Sequence, residues 1–304
     1  RTEQIATGMI LCFSTVRNEM LRLPHFLQHY RNLGIGHFLF VDNGSNDGTA
    51  DYLRAQPDVS LWQTQHSYKA ARFGMDWLVW LLFRYGHGHW CLTVDADEIL
   101  IYPFCDTRTL SELTHWLDRN KASSFGSLLL DLYPKGALGQ QSYQAGKDPF
   151  ELLRWFDGDE LLDGIRHHEH HISIRGGVRA RVFFHDQPQN APDMNKIPLV
   201  KWRRPYVYAS STHSLLPAKL NDVLGTSQNR KTSGVLLHSK FLPDIVDKSA
   251  EEIQRKEHFS YGQDNEGYYH RLCDGITLWS RDSVKYTGWE QLETMQLMSR
   301  GRWR

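Results

Sequence analysis

Short apolar runs that each end in a cluster of turn residues, with helically periodic stretches between them, constrain this chain more than any other feature. Met9 to Ser14 is the first such run. Met20 to Leu33 follows with Leu21, Leu23, Phe26, Leu27, Tyr30 and Leu33 at helical spacing, and Gly34 is placed to end that helix. His37 to Val41 is a second strand, and Asp42-Asn43-Gly44-Ser45-Asn46-Asp47-Gly48-Thr49 is a turn that also starts a helix. Val59 to Trp62 is a third strand after the turn-prone pair Pro57-Asp58, and Trp90 to Val94 is a fourth. Strands alternating with helices of this length build right-handed crossover units, which gather their loops at one edge of a mostly parallel sheet. Thr15 to Glu19, Asp42 to Asp47 and Asp95-Ala96-Asp97-Glu98 then share that edge.

Two carboxylates held at the end of a buried strand suit a hard divalent cation. Mg²⁺ takes one or two protein carboxylates while phosphate oxygens supply other ligands, so Asp95 and Asp97 imply a metal-bound phosphorylated ligand.

Three blocks in this order, Arg17-Asn18-Glu19, Val41 to Thr49 and Val94 to Glu98, resemble the nucleotide-sugar-dependent glycosyltransferases with the GT-A fold, family 2-like bacterial branch. Later segments resemble the same branch: Leu128 to Pro134, Gly176 to Arg179, Lys196 to Val200, Ser211 to His213 and Leu236 to Lys240. The resemblance implies a Rossmann-like central sheet flanked by helices. Residues 1–133 would form its nucleotide-sugar-binding half, 134–195 an irregular acceptor-side insertion, and 196–304 the completion of the domain with a helical C-terminal region.

It also implies a metal-dependent transfer, with inversion, from a nucleotide-sugar, a UDP-sugar by expectation, to a glycan or glycolipid acceptor. Mn²⁺ or Mg²⁺ would be held by Asp97 and by His238, while Asp95 would meet the metal through water or contact the nucleotide ribose. Asp42 would meet the base, Thr15 and Glu19 would line the nucleotide pocket, and Arg72 and Lys240 would face the diphosphate. The cation would stabilise charge on the departing diphosphate. An inverting transfer also needs a base for the acceptor hydroxyl. No Glu-Asp pair stands in the expected later segment, which leaves Asp131, Asp157 and Asp186 as candidates. A nucleotidyltransferase on a similar sheet is the alternative, although Thr15 to Glu19 lacks the glycines of its phosphate loop, and a silent glycan-binding module is a third reading.

Composition sets the remaining bounds. With 304 residues, 40% apolar and 23% charged, the chain can bury one large or two smaller cores, and 35 basic against 35 acidic residues leave no global field to recruit nucleic acid. Cys12, Cys91, Cys105 and Cys273 show no metal or redox spacing and read as reduced thiols. No stretch has the uninterrupted length of a membrane span, and residues 1–8 lack a signal-peptide core, so the expected location is cytoplasmic, with peripheral contact to an inner membrane as an option. Trp77 to Phe83 reads as about two turns of buried core helix, and docking on a bilayer would require its aromatic face to be exposed. Asp244 to His258 reads as a helix with Glu251, Glu252, Arg255 and Lys256 on a solvated face. Arg166-His167-His168-Glu169-His170-His171 resembles a zinc signature, but Ile172 stands where the final histidine is required.

Overall fold

A computed structural model describes residues 1–158, 162–166, 172–226, 229–257 and 266–304. The histidine run His167 to His171 lies outside the described residues. Eight strands form the central sheet: β1 (Ile10–Val16), β2 (Ile35–Asp42), β3 (Val59–Gln63), β4 (Trp90–Thr93), β5 (Glu98–Ile101), β6 (Ser124–Asp131), β7 (Asn195–Lys201) and β8 (Gly234–His238). Their order is β3-β2-β1-β4-β7-β6-β8-β5. Six run one way, while β7 lies antiparallel between β4 and β6, and β5 antiparallel to β8. This is the mostly parallel, Rossmann-like sheet expected from the alternation of elements.

Period-two alternation divides the core between the two faces of the sheet. On β1 and β2, Ile10, Cys12, Phe38 and Phe40 join one cluster, while Leu11, Phe13, Leu39 and Val41 join the other. Helices α1 (Leu23–Asn32) and α4 (Leu110–Arg119) cover the first face. Pro24 sits in the first turn of α1, where its missing N–H costs nothing, and Thr109 with Glu112 closes a capping box that starts α4. α2 (Thr49–Ala55) links β2 to β3. The second face is covered by α3 (Met75–Leu81) and the hairpin of Val207–Ser210 with Ser214–Leu216.

The expectation for Trp77 to Phe83 needs correction. Leu78, Leu81 and Leu82 are buried, but Trp80 and Phe83 are 52% and 53% exposed, because α3 packs by one side only and then widens into a π-type turn over Leu82–Gly86. Among the described residues no helix is long and apolar enough to cross a membrane. All four cysteines are free.

Among the described residues four later helices complete the frame: α5 (Gly177–Phe183), α6 (Ile245–Arg255), α7 (Glu266–Cys273) and α8 (Trp289–Thr294). Strand register sets the positions at the sheet edge. His238 pairs with Asp131 across β8 and β6 and with Glu98 across β8 and β5, so the loop after β4 is carried to the end of β8. The hydroxyl of Tyr30 on α1 donates to the Glu98 carbonyl at 2.9 Å and accepts from Leu100 N at 3.0 Å, fixing the start of β5 from its free side.

Candidate active site

The turn after β2 acts first as a clasp. Ser45 Oγ accepts from Asn18 N, Asn18 Oδ1 accepts from Asn46 N, Thr49 Oγ1 accepts from Glu19 N, and Asp47 accepts from Met20 N, all at 2.9–3.0 Å. These bonds hold Asn18 in the left-handed region, at φ 52°, and delay α1 to Leu23, later than the periodicity predicts. Arg17 and Glu19 are thereby fixed at the wall of a cleft of about 310 Å³.

That cleft lies over the carboxyl ends of β1, β4, β6 and β8. Thr15, Glu19, Asp95, Asp97, His238 and Lys240 line it, which unites six of the expected site residues. Asp97 Oδ2 stands 2.9 Å from His238 Nε2, although 141 residues separate them. His238 Nδ1 stands 2.6 Å from Asp131 Oδ1, and Arg179 Nε donates to Asp131 Oδ2 at 2.6 Å. Glu98 folds back to accept from Asp95 N at 3.1 Å and pairs with Lys196 Nζ at 2.5 Å, which locks the loop carrying both aspartates. Asp95 stays half-exposed and meets Lys196 at 3.3 Å.

Burial and charge pull against each other in this row. Burial disfavours the His238 imidazolium, but Asp97 and Asp131 outweigh it and carry the ring up to about 9. Burial acts to raise Asp97, and His238, Arg22 and Lys240 together hold it well below the usual carboxylate range. Asp131 is likewise held low against burial, chiefly by Arg179. Burial raises Glu98 to about 7 despite Lys196. Burial lowers the Lys240 ammonium, which has no acceptor within hydrogen-bond reach among the described residues. Arg179 Nη2 and Thr15 Oγ1 are also buried without a hydrogen-bond partner among the described residues. Buried polar atoms left unpaired beside one cleft are available to a polar ligand or to water.

The donor set fits a divalent cation. Two adjacent ligands of one octahedral ion, each at about 2.1 Å, stand about 3 Å apart, which matches the spacing of His238 Nε2 and Asp97 Oδ2. A metal-bound imidazole usually turns its other nitrogen to a carboxylate, as His238 does to Asp131. Among the described residues no group of three His, Cys, Asp or Glu side chains is placed to hold a metal ion, so a bound cation would have to take its further ligands from phosphate oxygens and water.

Other expected residues lie elsewhere. Both oxygens of Asp131 are committed to His238 and Arg179, so it supports the imidazole and is not placed as a base. Asp157 is bound by the Tyr133 hydroxyl and by Arg181 away from the cleft lining, and exposed Asp186 faces His185. Arg72 is exposed, pairs with Asp76 at 2.7 Å, and does not line the cleft. Asp42 is fully buried and also absent from the lining; it accepts from Ser45 N and Gln63 Nε2, closing its own turn.

Arg179, Lys196, Arg22, Asp193 and Glu252 join the cleft without having been assigned a role from sequence. Arg179 and Lys196 stand in two later blocks of family resemblance, which was the available signal. The solvated face expected for α6 is corrected: Glu251, Glu252 and Arg255 line the cleft, with Glu252 only 5% exposed. Arg22 on the approach to α1 binds Asp244 at 2.5 Å and Glu19 at 3.2 Å, while Lys248 of α6 binds Glu19 at 2.5 Å, tying the two halves of the wall.

No family model matches the chain, and no curated protein matches it. Among solved structures it is similar to HddC from Yersinia pseudotuberculosis, at 8% identity and TM-score 0.33 over 81% of this chain and 99% of that one. It is also similar to a 4-diphosphocytidyl-2C-methyl-D-erythritol synthase from Anaerococcus prevotii, at 12% identity and TM-score 0.28 over 95% of this chain and 97% of that one. Another synthase of the same description matches at 17% identity and TM-score 0.27, over 45% of this chain and 68% of that one. Similarity at this level carries no functional argument.

Proposed function

We propose that this chain is a nucleotide-sugar-dependent glycosyltransferase that moves a sugar from a UDP-sugar-type donor to a glycan or glycolipid acceptor, with inversion. One observation carries the reading: Asp97 and His238 meet at 2.9 Å in a cleft whose Lys240 ammonium and Arg179 Nη2 have no hydrogen-bond acceptor among the described residues. A diphosphate would supply those acceptors. Thr15 and Glu19 would bound the nucleotide, and Lys240 and Arg179 would bind phosphate oxygens, Arg179 while still bracing Asp131.

A divalent cation held by Asp97 and His238, with Asp95 reaching it only through water, would neutralise charge on the departing diphosphate. Asp193 takes the part of base for the acceptor hydroxyl. It lines the cleft, and its bonds to Ser173 and Arg175 both fall on Oδ1. Residues 134–195 would then form the acceptor side, contributing Arg179 and Asp193.

The test is product analysis with Mn²⁺, a panel of nucleotide-sugars and glycan acceptors, after donors are ranked by thermal stabilisation. Release of nucleoside diphosphate that needs an acceptor supports the transfer. Release of pyrophosphate from a nucleoside triphosphate and a sugar phosphate would support the nucleotidyltransferase alternative instead. Asp193→Asn should lower turnover about 10²–10⁴-fold with donor affinity retained.

A further inference from the structure

Trp80 at the end of α3 and Phe83 in the wide turn that follows stand about one helical turn apart, each about half exposed, while Leu78, Leu81 and Leu82 beside them fill the core. The neighbouring surface is basic. Gly88 N donates to Trp202 O at 3.0 Å and Trp202 N donates to His89 O at 2.9 Å, which joins the end of the wide turn to the loop carrying Arg203 and Arg204. Arg84, Arg203 and Arg204 are exposed and make no ion pair among the described residues; Arg84 lies 5.8 Å from the Tyr85 ring.

Neither residues 77–94 nor residues 194–221 contain Asp or Glu, although the whole chain has no net charge. The acids that flank these stretches are already matched, Asp76 by Arg72, Asp95 by Lys196, Asp193 by Arg175 and Asp222 by Lys231, and Asp118 is matched by Lys201. The third exposed large apolar side chain among the described residues, Leu216, belongs to the hairpin that covers the same sheet face as α3.

We infer that this corner docks on an anionic bilayer surface. Trp and Phe beside unpaired arginines have the composition of an interfacial anchor, with rings entering the boundary between headgroups and acyl chains and guanidinium groups meeting lipid phosphates. Two rings on one turn supply depth rather than the breadth of a stable protein interface, which takes roughly 800 Å² from each partner. Arg carries its charge on an apolar stem, so it tolerates the interface beside the rings.

The helix also gives the anchor a direction. α3 begins at Gly74, packed against Thr15 and Tyr68 of the cleft wall, and its seven residues span about 10 Å before the patch. Docking would hold the cleft about one short helix from the membrane, within reach of an acceptor carried on a lipid. That last consequence rests on the glycosyltransferase reading, whereas the docking does not.

The experiment is vesicle co-sedimentation of the full chain without nucleotide or acceptor, using phosphatidylcholine alone and phosphatidylcholine with roughly one third phosphatidylglycerol, at low and high salt. The wild type should pellet with the anionic vesicles and largely stay in solution with the neutral ones. Trp80→Ser with Phe83→Ser, and separately Arg203→Glu with Arg204→Glu, should each weaken binding about tenfold or more, with the melting temperature retained. A wild type that ignores anionic vesicles overturns the inference, as does equal binding by both variants. A dimer in solution that Trp80→Ser with Phe83→Ser dissociates, without vesicle binding, would assign the corner to a second copy and also overturn it. Failure here leaves the cleft reading intact, since no substrate enters the measurement.

Discussion

The turn after β2 and the loop after β4 lie at the same edge of one sheet and are both rich in aspartate, yet they are held in opposite ways. Asp42 takes its hydrogen bonds from Ser45 and Gln63, three and 21 residues away, and is sealed from the cleft. Asp97 takes its bond from His238, 141 residues away, and faces the cleft. An acid satisfied by its own neighbourhood sets a turn. An acid whose partner arrives only when the whole sheet has formed sets a site, because the partner is placed there by tertiary structure at the cost of burying charge.

The sharpest way to break this contrast is Asp97→Asn. Asn keeps the shape and removes the charge, so turnover should fall by about 10²–10³-fold while circular dichroism and melting cooperativity are retained. Wild-type turnover by the folded variant would place Asp97 with Asp42 among the turn residues.

The pH dependence of the metal-free protein comes next in size. His238 is carried from an ordinary value of 6.5 up to about 9, so folding favours its protonated form. That contribution, on the order of 3 kcal/mol at most, is fully present below about pH 6.5 and is lost as pH rises through about 9. Asp97 and Asp131 are shifted the other way, so their contribution is present above about pH 4 and lost as pH falls. Stability of the wild type should therefore decline between about pH 6.5 and 9, and His238→Gln should remove most of that decline. An unchanged alkaline slope in the variant would show that the ring does not bridge the two carboxylates in solution.

A smaller effect separates direct from indirect roles at the same row. Asp131→Asn should weaken Mn²⁺ binding in the presence of nucleotide by about 10–100-fold, read by calorimetry, since Asp131 orients the ring without lining the cleft. Normal Mn²⁺ affinity in a folded Asp131→Asn protein would reduce Asp131 to a counter-ion for Arg179.

Much of the parallel half of the fold is legible in sequence because its signals are local. Apolar runs, helical spacing and the turn residues Asp42 to Thr49 each occupy a few adjacent positions, and β1 to β4 follow from them. The site is only half legible. Asp95 and Asp97 announce themselves by ending a strand, and His238 and Lys240 by family resemblance at the end of β8. Arg179 and Lys196 do not, because an arginine early in a short helix and a lysine at the start of an antiparallel strand look like solvated charge until β7 inserts between β4 and β6. The same ambiguity misplaces α6, whose alternating charges read as a water-facing surface and in fact face Arg17 and the cleft. Trp80 and Phe83 err in the opposite direction: hydrophobicity reads as burial, whereas a helix packed by one side leaves the other side in water.

Asp42→Ala gives the smallest effect and tests the comparison from its quieter side. The resemblance to a nucleotide-sugar enzyme assigns Asp42 to the base of the nucleotide, but the carboxylate is fully buried, lies outside the cleft lining, and accepts from Ser45 N at 3.3 Å and Gln63 Nε2 at 3.3 Å. Removing it leaves the part-buried Ser45 N–H without its acceptor, which costs about 1 kcal/mol. The same turn supplies Ser45, Asn46, Asp47 and Thr49 to the clasp on Asn18 to Met20, so loosening it should reach the cleft only through Arg17 and Glu19. The expected outcome is a lowered denaturant midpoint with an unchanged slope, and nucleotide affinity within about twofold of wild type at temperatures where the variant is folded. Loss of affinity by tenfold or more in a fully folded Asp42→Ala protein would return this residue to the nucleotide, and the distinction between local and long-range satisfaction would no longer separate a turn from a site.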